Sequence, residues 1–457
     1  MAISSRSVGM TEIHCNFPQN PFRRISRRIS QFRAGFPDKK PAAGACEEQD
    51  ELTSGSAARI QRRDKQLPEI IGSDRELMSK LTTLGRPYRH FPFMGNRHVE
   101  TIFASFFRSW PVIKSRRECL RMEDGGTVEL DWPLEGEDAE LWNGELPVNS
   151  PVLILLPGLT GGSDDSYVKH MLLRARKHGW HSVVFNSRGC ADSPVTTPQF
   201  YSASFTKDLC QVVKHVAVRF SESNIYAVGW SLGANILVRY LGEVAGNCPL
   251  SGAVSLCNPF NLVIADEDFH KGLGFNNVYD KALARGLRQI FPKHTRLFEG
   301  IEGEYNIPTV AKARSVRDFD GGLTRVSFGF QSVGDYYSNS SSSLSIKYVQ
   351  TSLLCIQASN DPIAPSRGIP WEDIKENPNC LLVVTPNGGH LGWVAGDDAP
   401  FGAPWTDPLV MEYLEVLEKN QIEKPLRRTI DDVHTPRVDS VHTRETNNYK
   451  SPIENVN

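Results

Sequence analysis

Ser231 has more chemistry written around it than any other residue. It sits at the centre of Gly229-Trp230-Ser231-Leu232-Gly233. A serine hydroxyl attacks a carbonyl only when a base takes its proton and a third group orients that base. Glycines on both sides predict a turn too tight for side chains. Such a turn exposes the hydroxyl at the carboxyl end of a strand, beside a helix N-terminus whose dipole favours developing negative charge. The five-residue pattern is common by chance, so its surroundings decide. The apolar run Ile225–Val228 directly precedes it, and Ile236, Leu237, Tyr240, Leu241 and Val244 follow at helical spacing. Strand, turn and helix are the context a nucleophilic serine of this type requires. An ordinary strand-to-helix turn with an incidental serine is the competing reading.

A base and an acid should follow in the order Ser…Asp…His. Among twelve histidines, His390 stands in Asn387-Gly388-Gly389-His390-Leu391-Gly392-Trp393, just past the apolar run Leu381–Val384. A loop leaving a late strand can reach back to the serine. His98 is the rival; His170 and His215 fall on expected helices. For the acid, Asn360-Asp361-Pro362-Ile363 follows the run Leu353–Ala358. A carboxylate there would accept the imidazole Nδ1–H, fix the tautomer and stabilise the imidazolium. Asp335 and Asp266 are alternatives, and a plain turn-forming role for Asp361 competes with all of them. The tetrahedral intermediate also needs two preorganised backbone N–H donors. Leu232, the residue after the nucleophile, should give one. The loop Pro157-Gly158-Leu159-Thr160-Gly161-Gly162 should give the other, from Leu159 or, failing that, Thr160. This loop lacks the GK[ST] ending of a nucleotide-binding loop.

These residues need a scaffold. Apolar runs at Val152–Leu156, His181–Phe185, Ile225–Val228, Gly252–Leu256, Leu353–Ala358 and Leu381–Val384 alternate with helical patterns near 167–177, 205–220 and 232–244. Runs apolar throughout predict a mostly parallel sheet covered by helices on both faces, an α/β architecture. Thr127–Asp131 predicts an early hairpin strand, and a last helix should begin near Thr406. Residues 261–349 break the rhythm with a helical stripe and a Ser-rich stretch, and are expected to form a cap insertion. Phe275, Tyr279, Phe291, Tyr336 and Tyr337 in it either line an acyl pocket or form the cap's own core.

The ends differ in composition. Up to Lys40 the acids are Glu12 and Asp38 against eight Arg and Lys, with frequent serine. That is the composition of an organelle transit peptide; a disordered basic tail is the alternative. Residues 1–65 are therefore expected to be a disordered leader, 85–420 the catalytic domain and 421–457 a disordered tail. Net charge is −2, so no overall basicity points to nucleic acid. No stretch approaches the ~20 apolar residues needed to span a bilayer. Nine cysteines lack metal-binding or disulfide spacing. No metal or organic cofactor is expected.

Five motifs in order, LPGLTGG (156–162), FNSRGC (185–190), GWSLGAN (229–235), NDPIAP (360–365) and GGHLGW (388–393), resemble one branch of the α/β-hydrolase superfamily. That branch includes plant embryogenesis-associated hydrolases, animal α/β-hydrolase-domain lipases and yeast medium-chain ester synthases. The resemblance spans roughly Phe91 to Asn420 and includes a Tyr-Tyr…Ser-Ser stretch at 336–341. Asn96–Ile102 stands where the family has a segment like Gly-His-Leu-Gln-Thr, and departs from it at Val99 and Glu100. The resemblance implies an α/β-hydrolase fold and a carboxylesterase or lipase acting on a lipid-derived acyl ester, with peripheral membrane contact compatible. Plastid relatives make the chloroplast the expected location, with mitochondrion or cytoplasm as alternatives. An ester synthase using an alcohol acceptor, or a receptor that keeps the pocket without turnover, are the rival functions.

Overall fold

A computed structural model describes residues 67–422, except 137, 138, 143, 272, 273 and 302. The expected leader lies outside the described residues, as does the expected tail apart from Gln421 and Ile422, which end the last helix.

Nine strands form one sheet: β1 (Glu69–Ile71), β2 (Ile113–Arg121), β3 (Thr127–Gly136), β4 (Val152–Leu156), β5 (His181–Asn186), β6 (Ile225–Trp230), β7 (Gly252–Leu256), β8 (Leu353–Ala358) and β9 (Cys380–Thr385). Their order is β1-β9-β8-β7-β6-β4-β5-β3-β2. The six strands from β5 to β9 across the centre run parallel. The β2–β3 hairpin joins antiparallel at one edge and β1 at the other. The α-helices of eight or more described residues are α1 (Arg97–Phe106), α2 (Ser166–Lys177), α3 (Lys207–Arg219), α4 (Leu232–Val244), α5 (Leu262–His270), α6 (Asn276–Ile290), α7 (Val333–Ser340) and α8 (Thr406–Ile422).

The two-residue period of the strands sorts their side chains into two cores. On β4, Val152, Ile154 and Leu156 pack with Val212 and Val216 of α3 and Leu237 and Leu241 of α4. Leu153 and Leu155 point the other way, onto Met171 of α2 and Leu409 and Leu414 of α8. All five are buried, as expected for a strand with helices on both faces. Arg188, just past β5, is fully buried, and its guanidinium bonds both Asp208 oxygens (2.6 and 2.8 Å) and both Asp124 oxygens (2.7 and 2.9 Å). This clamp ties the FNSRGC turn to α3 and to the β2–β3 hairpin.

The folded chain begins earlier than the expected boundary at residue 85. β1 pairs with β9, and Leu77, Leu81 and Leu84 are buried in the core beneath α8. A three-residue edge strand is too short to show a period, so it leaves no trace in the sequence pattern.

The segment between β7 and β8 is a helical cap holding α5, α6 and α7. Its Ser-rich stretch is ordered by hydrogen bonds. Asn235 of α4 donates to the carbonyls of Ala203 and Ser340 (3.2 and 2.9 Å) and accepts from Ser342 N–H (3.0 Å). Ser342 and Ser341 bond Asn258 and Leu262 respectively. The cap is thus fastened to the helix that starts at Ser231.

Candidate active site

Ser231 links β6 to α4 with φ +52° and ψ −118°. A non-glycine residue there is strained, and the surrounding structure must hold it. It does so from both sides. Ser231 N–H donates to Leu256 O of β7 (2.9 Å). A Cβ at Gly229 would lie 2.7 Å from Gly233 O, and one at Gly233 would collide with the carbonyls of Leu156 and Pro157. Both glycines are needed because backbone passes where a side chain would start.

His390 Nε2 lies 3.0 Å from Ser231 Oγ. Its Nδ1 faces Asp361, 2.8 Å from Oδ2 and 3.1 Å from Oδ1. Asp361 Oδ1 also accepts from the N–H groups of Ile363 and Ala364 (2.7 and 2.8 Å). The NDPIAP turn therefore serves as a carboxylate cradle, and the turn-forming role and the orienting role coexist in one residue. Asp361 and His390 are both buried, so water does not compete for the bond between them. The rivals lie elsewhere. His98 stacks on Phe275 (centroids 4.8 Å apart) and bonds Tyr279 OH (3.0 Å). Asp266 pairs with Arg317, and Asp335 lies in the first turn of α7, its N–H donating to the capping Ser332.

The two expected oxyanion donors also fall beside Ser231. Leu232 is the first residue of α4, where an N–H has no intrahelical acceptor. In the glycine loop, Gly158 N–H bonds Tyr167 OH, Thr160 N–H bonds Tyr201 OH (2.7 Å), and Gly161 and Gly162 N–H groups are also taken. Among the described residues, the Leu159 N–H has no such partner, and Leu159 lines the cavity in front of Ser231. Thr160, the fallback, is the one committed elsewhere.

The base loop is held by residues to which the sequence analysis gave no role. Helix α1 presents Thr101, whose Oγ1 accepts from His390 N–H (2.9 Å). Arg108 is buried and donates to Leu391 O (3.0 Å) and to Gly392 O. Glu100 is fully buried, with Tyr88 OH donating to it at 2.5 Å. Burial pushes the Glu100 carboxyl up to about 7, partly offset by the Tyr88 hydrogen bond, and burial likewise lifts Asp407 to about 7. Burial lowers Arg108 to about 10 against the pull of Asp407, Tyr88 and Glu100. Asn96, whose side chain caps α1 by accepting from His98 and Val99 N–H groups, is a signal from which the helix start, not placed in the sequence analysis, was recoverable. The contact of Thr101 with a residue 289 positions away was not. Cys257, also buried, accepts from Leu391 N–H (3.1 Å). Burial and the neighbouring Asp361 hold its thiol well above the ordinary range, so it is neutral there. None of the seven described cysteines forms a disulfide.

In front of Ser231 and His390 opens a cavity of about 430 Å³ lined mainly by apolar side chains of α1, the glycine loop and the cap. Of the aromatic residues expected to line a pocket, Tyr279, Tyr336 and Tyr337 do; Phe291 lies in the cap's own core and Phe275 is exposed. The volume is that of a small-molecule site, and its lining suits an apolar chain.

Residues 151–394 match the family model described as the alpha/beta hydrolase fold. An abhydrolase domain-containing protein of Dictyostelium discoideum is 36% identical over 327 residues, covering 70% of this chain and 79% of that one. Phospholipase ABHD3 of Homo sapiens is 34% identical over 65% of this chain and 71% of its own. Monoacylglycerol lipase of Saccharomyces cerevisiae is 29% identical over 75% of this chain and 83% of its own.

Proposed function

Since the chain belongs to the α/β-hydrolase family and is an ester hydrolase of lipid-type substrates, we propose that it works through Ser231, His390 and Asp361 by way of an acyl-enzyme. One observation carries this reading: a single imidazole lies within hydrogen-bond distance of the strained serine hydroxyl on one side and of a cradled carboxylate on the other. His390 takes the Ser231 proton as Oγ attacks the ester carbonyl. The N–H groups of Leu232 and Leu159 receive the oxyanion. Asp361 holds the imidazole and stabilises its charged form. His390 then protonates the departing alcohol. Water, deprotonated by the same imidazole, releases the acid and restores Ser231. Every proton in the cycle passes through His390. The apolar cavity takes the acyl chain.

The test is turnover of p-nitrophenyl butyrate and octanoate by the full chain. Wild type should hydrolyse both, and Ser231→Ala should lose at least about 10⁴-fold in kcat while keeping its unfolding midpoint. Undiminished turnover in Ser231→Ala would remove the serine from the mechanism. The Arg- and Ser-rich start supports a chloroplast address for the same enzyme. A fluorescent fusion of residues 1–66 that stays in the cytosol of plant cells would reject it.

A further inference from the structure

Helix α1 is amphipathic the wrong way round. Its buried side carries Glu100, Thr101, Ala104 and, beyond its end, Arg108. The side facing solvent carries Val99, Ile102, Phe106 and, past the helix, Phe107 and Trp110. Phe106 is 58% exposed and Trp110 40%. A surface helix of a globular protein normally shows the reverse, and a contiguous exposed apolar face marks an interaction site. The turn before α1 adds Phe93, which is 94% exposed and held at φ +69°. A strained non-glycine backbone that displays a bare aromatic ring has no account in the packing of this chain.

The patch extends to both neighbours of α1. On one side Phe275 and Val278, about 60% exposed, stand at the start of α6, with Phe275 stacked on His98 of α1. On the other, Phe401 packs against Phe103, which stacks on Phe107. The patch also reaches the cavity: Ile102 and Phe106 are exposed and line it at the same time. The exposed charge on the α1 stretch of chain is of one sign. Between residues 86 and 112 the exposed charges are Arg86, Arg89 and Arg97; the acid in that stretch, Glu100, is buried.

We propose that the outward face of α1, with Phe93, Trp110 and the start of α6, is an interfacial docking surface that seats the mouth of the catalytic cavity on an anionic lipid surface. This rests on the ester-hydrolase reading of that cavity for its purpose. Continuity with the cavity favours a lipid surface over a protein partner. A lipid ester can leave the surface along apolar side chains without crossing water, whereas a bound protein would close the opening. Exposed aromatics that sink into the headgroup boundary, with exposed arginines on the same stretch of chain, are the composition of membrane-surface helices.

The experiment is co-sedimentation of the full chain with phosphatidylcholine vesicles, with and without phosphatidylglycerol, for wild type and for Phe93→Ser/Phe107→Ser/Trp110→Ser. None of these three side chains lines the cavity. Wild type should bind the anionic vesicles more tightly than the neutral ones and less tightly in high salt. The triple variant should bind at least about tenfold more weakly, with hydrolysis of soluble p-nitrophenyl butyrate unchanged. Phe93→Ser alone, at a side chain almost wholly in solvent, should weaken binding in the same direction and guards against misfolding of the triple variant. Wild type that ignores vesicles of every composition overturns the proposal. So does wild type that sediments as a dimer, with the triple variant monomeric and vesicle binding equal, because a second copy is then the occupant. Loss of soluble-ester turnover in wild type would sink the role of Ser231 instead, and vesicle binding would stand or fall by sedimentation alone.

Discussion

At the residue scale, the site is a chain of orientation that runs deeper than the three side chains proposed to react. Ser231, Asp361 and His390 were legible because each sits in a glycine- or proline-marked turn directly after an apolar run. Thr101 was not, because nothing local to it indicates that its hydroxyl receives the N–H of His390. Thr101→Ala leaves that buried donor without a partner, an error worth about 1–3 kcal/mol. If the loss is felt in the placement of the imidazole, kcat should fall about tenfold with KM little changed. Thr101→Ser should recover most of it. Steady-state kinetics of the two variants separate this from general destabilisation, in which the serine variant would bring no selective rescue.

Elements supply what residues cannot. The parallel strands, α2, α3, α4 and α8 follow the sequence pattern because their apolar residues recur at spacings that point inward. Helix α1 has an equally regular stripe, Val99, Ile102, Phe103 and Phe106, but it faces out, and the helix was missing from the sequence reading. The cap was recognised as an insertion. Its fastening through Asn235, Asn258 and the serines at 340–342 depends on contacts about 100 positions apart. The Arg188 clamp belongs to this scale too. A buried guanidinium that bridges two carboxylates leaves both uncompensated when removed. Arg188→Ala should therefore cost about 3–5 kcal/mol, read as a fall in the denaturation midpoint. Gly233→Ala should disturb folding and catalysis together. Its methyl would meet the carbonyls of Leu156 and Pro157 and displace the neighbouring Leu232 N–H. Losing that donor costs about 10²–10³ in kcat, which single-turnover kinetics would detect.

For the molecule as a whole, the packing under the base loop sets a pH dependence of stability. Glu100 and Asp407 keep their protons up to about 7 when folded, against about 4.3 and 3.9 when unfolded. Between those limits the folded chain holds protons the unfolded chain has released, so stability declines as pH rises, by up to about 1.4 kcal/mol per unit for each group. The decline levels off above about 7. Glu100→Gln removes the Glu100 contribution and keeps the Tyr88 hydrogen bond. Relative to wild type it should gain about 2 kcal/mol on going from pH 5 to pH 7, seen by chemical denaturation at each pH. Parallel curves for the two proteins would mean that Glu100 is not the group that titrates. This global property was invisible in the sequence, where Glu100 looked only like a departure from a familiar segment.

The proposed chemistry depends on one hydroxyl made nucleophilic by its surroundings. Treatment of the full chain with a fluorophosphonate, followed by peptide mass spectrometry, tests it most directly. A single adduct on the peptide containing Ser231, absent from His390→Ala, is the expected result. An unmodified Ser231 in folded protein, or an adduct formed as fast without His390, would contradict it.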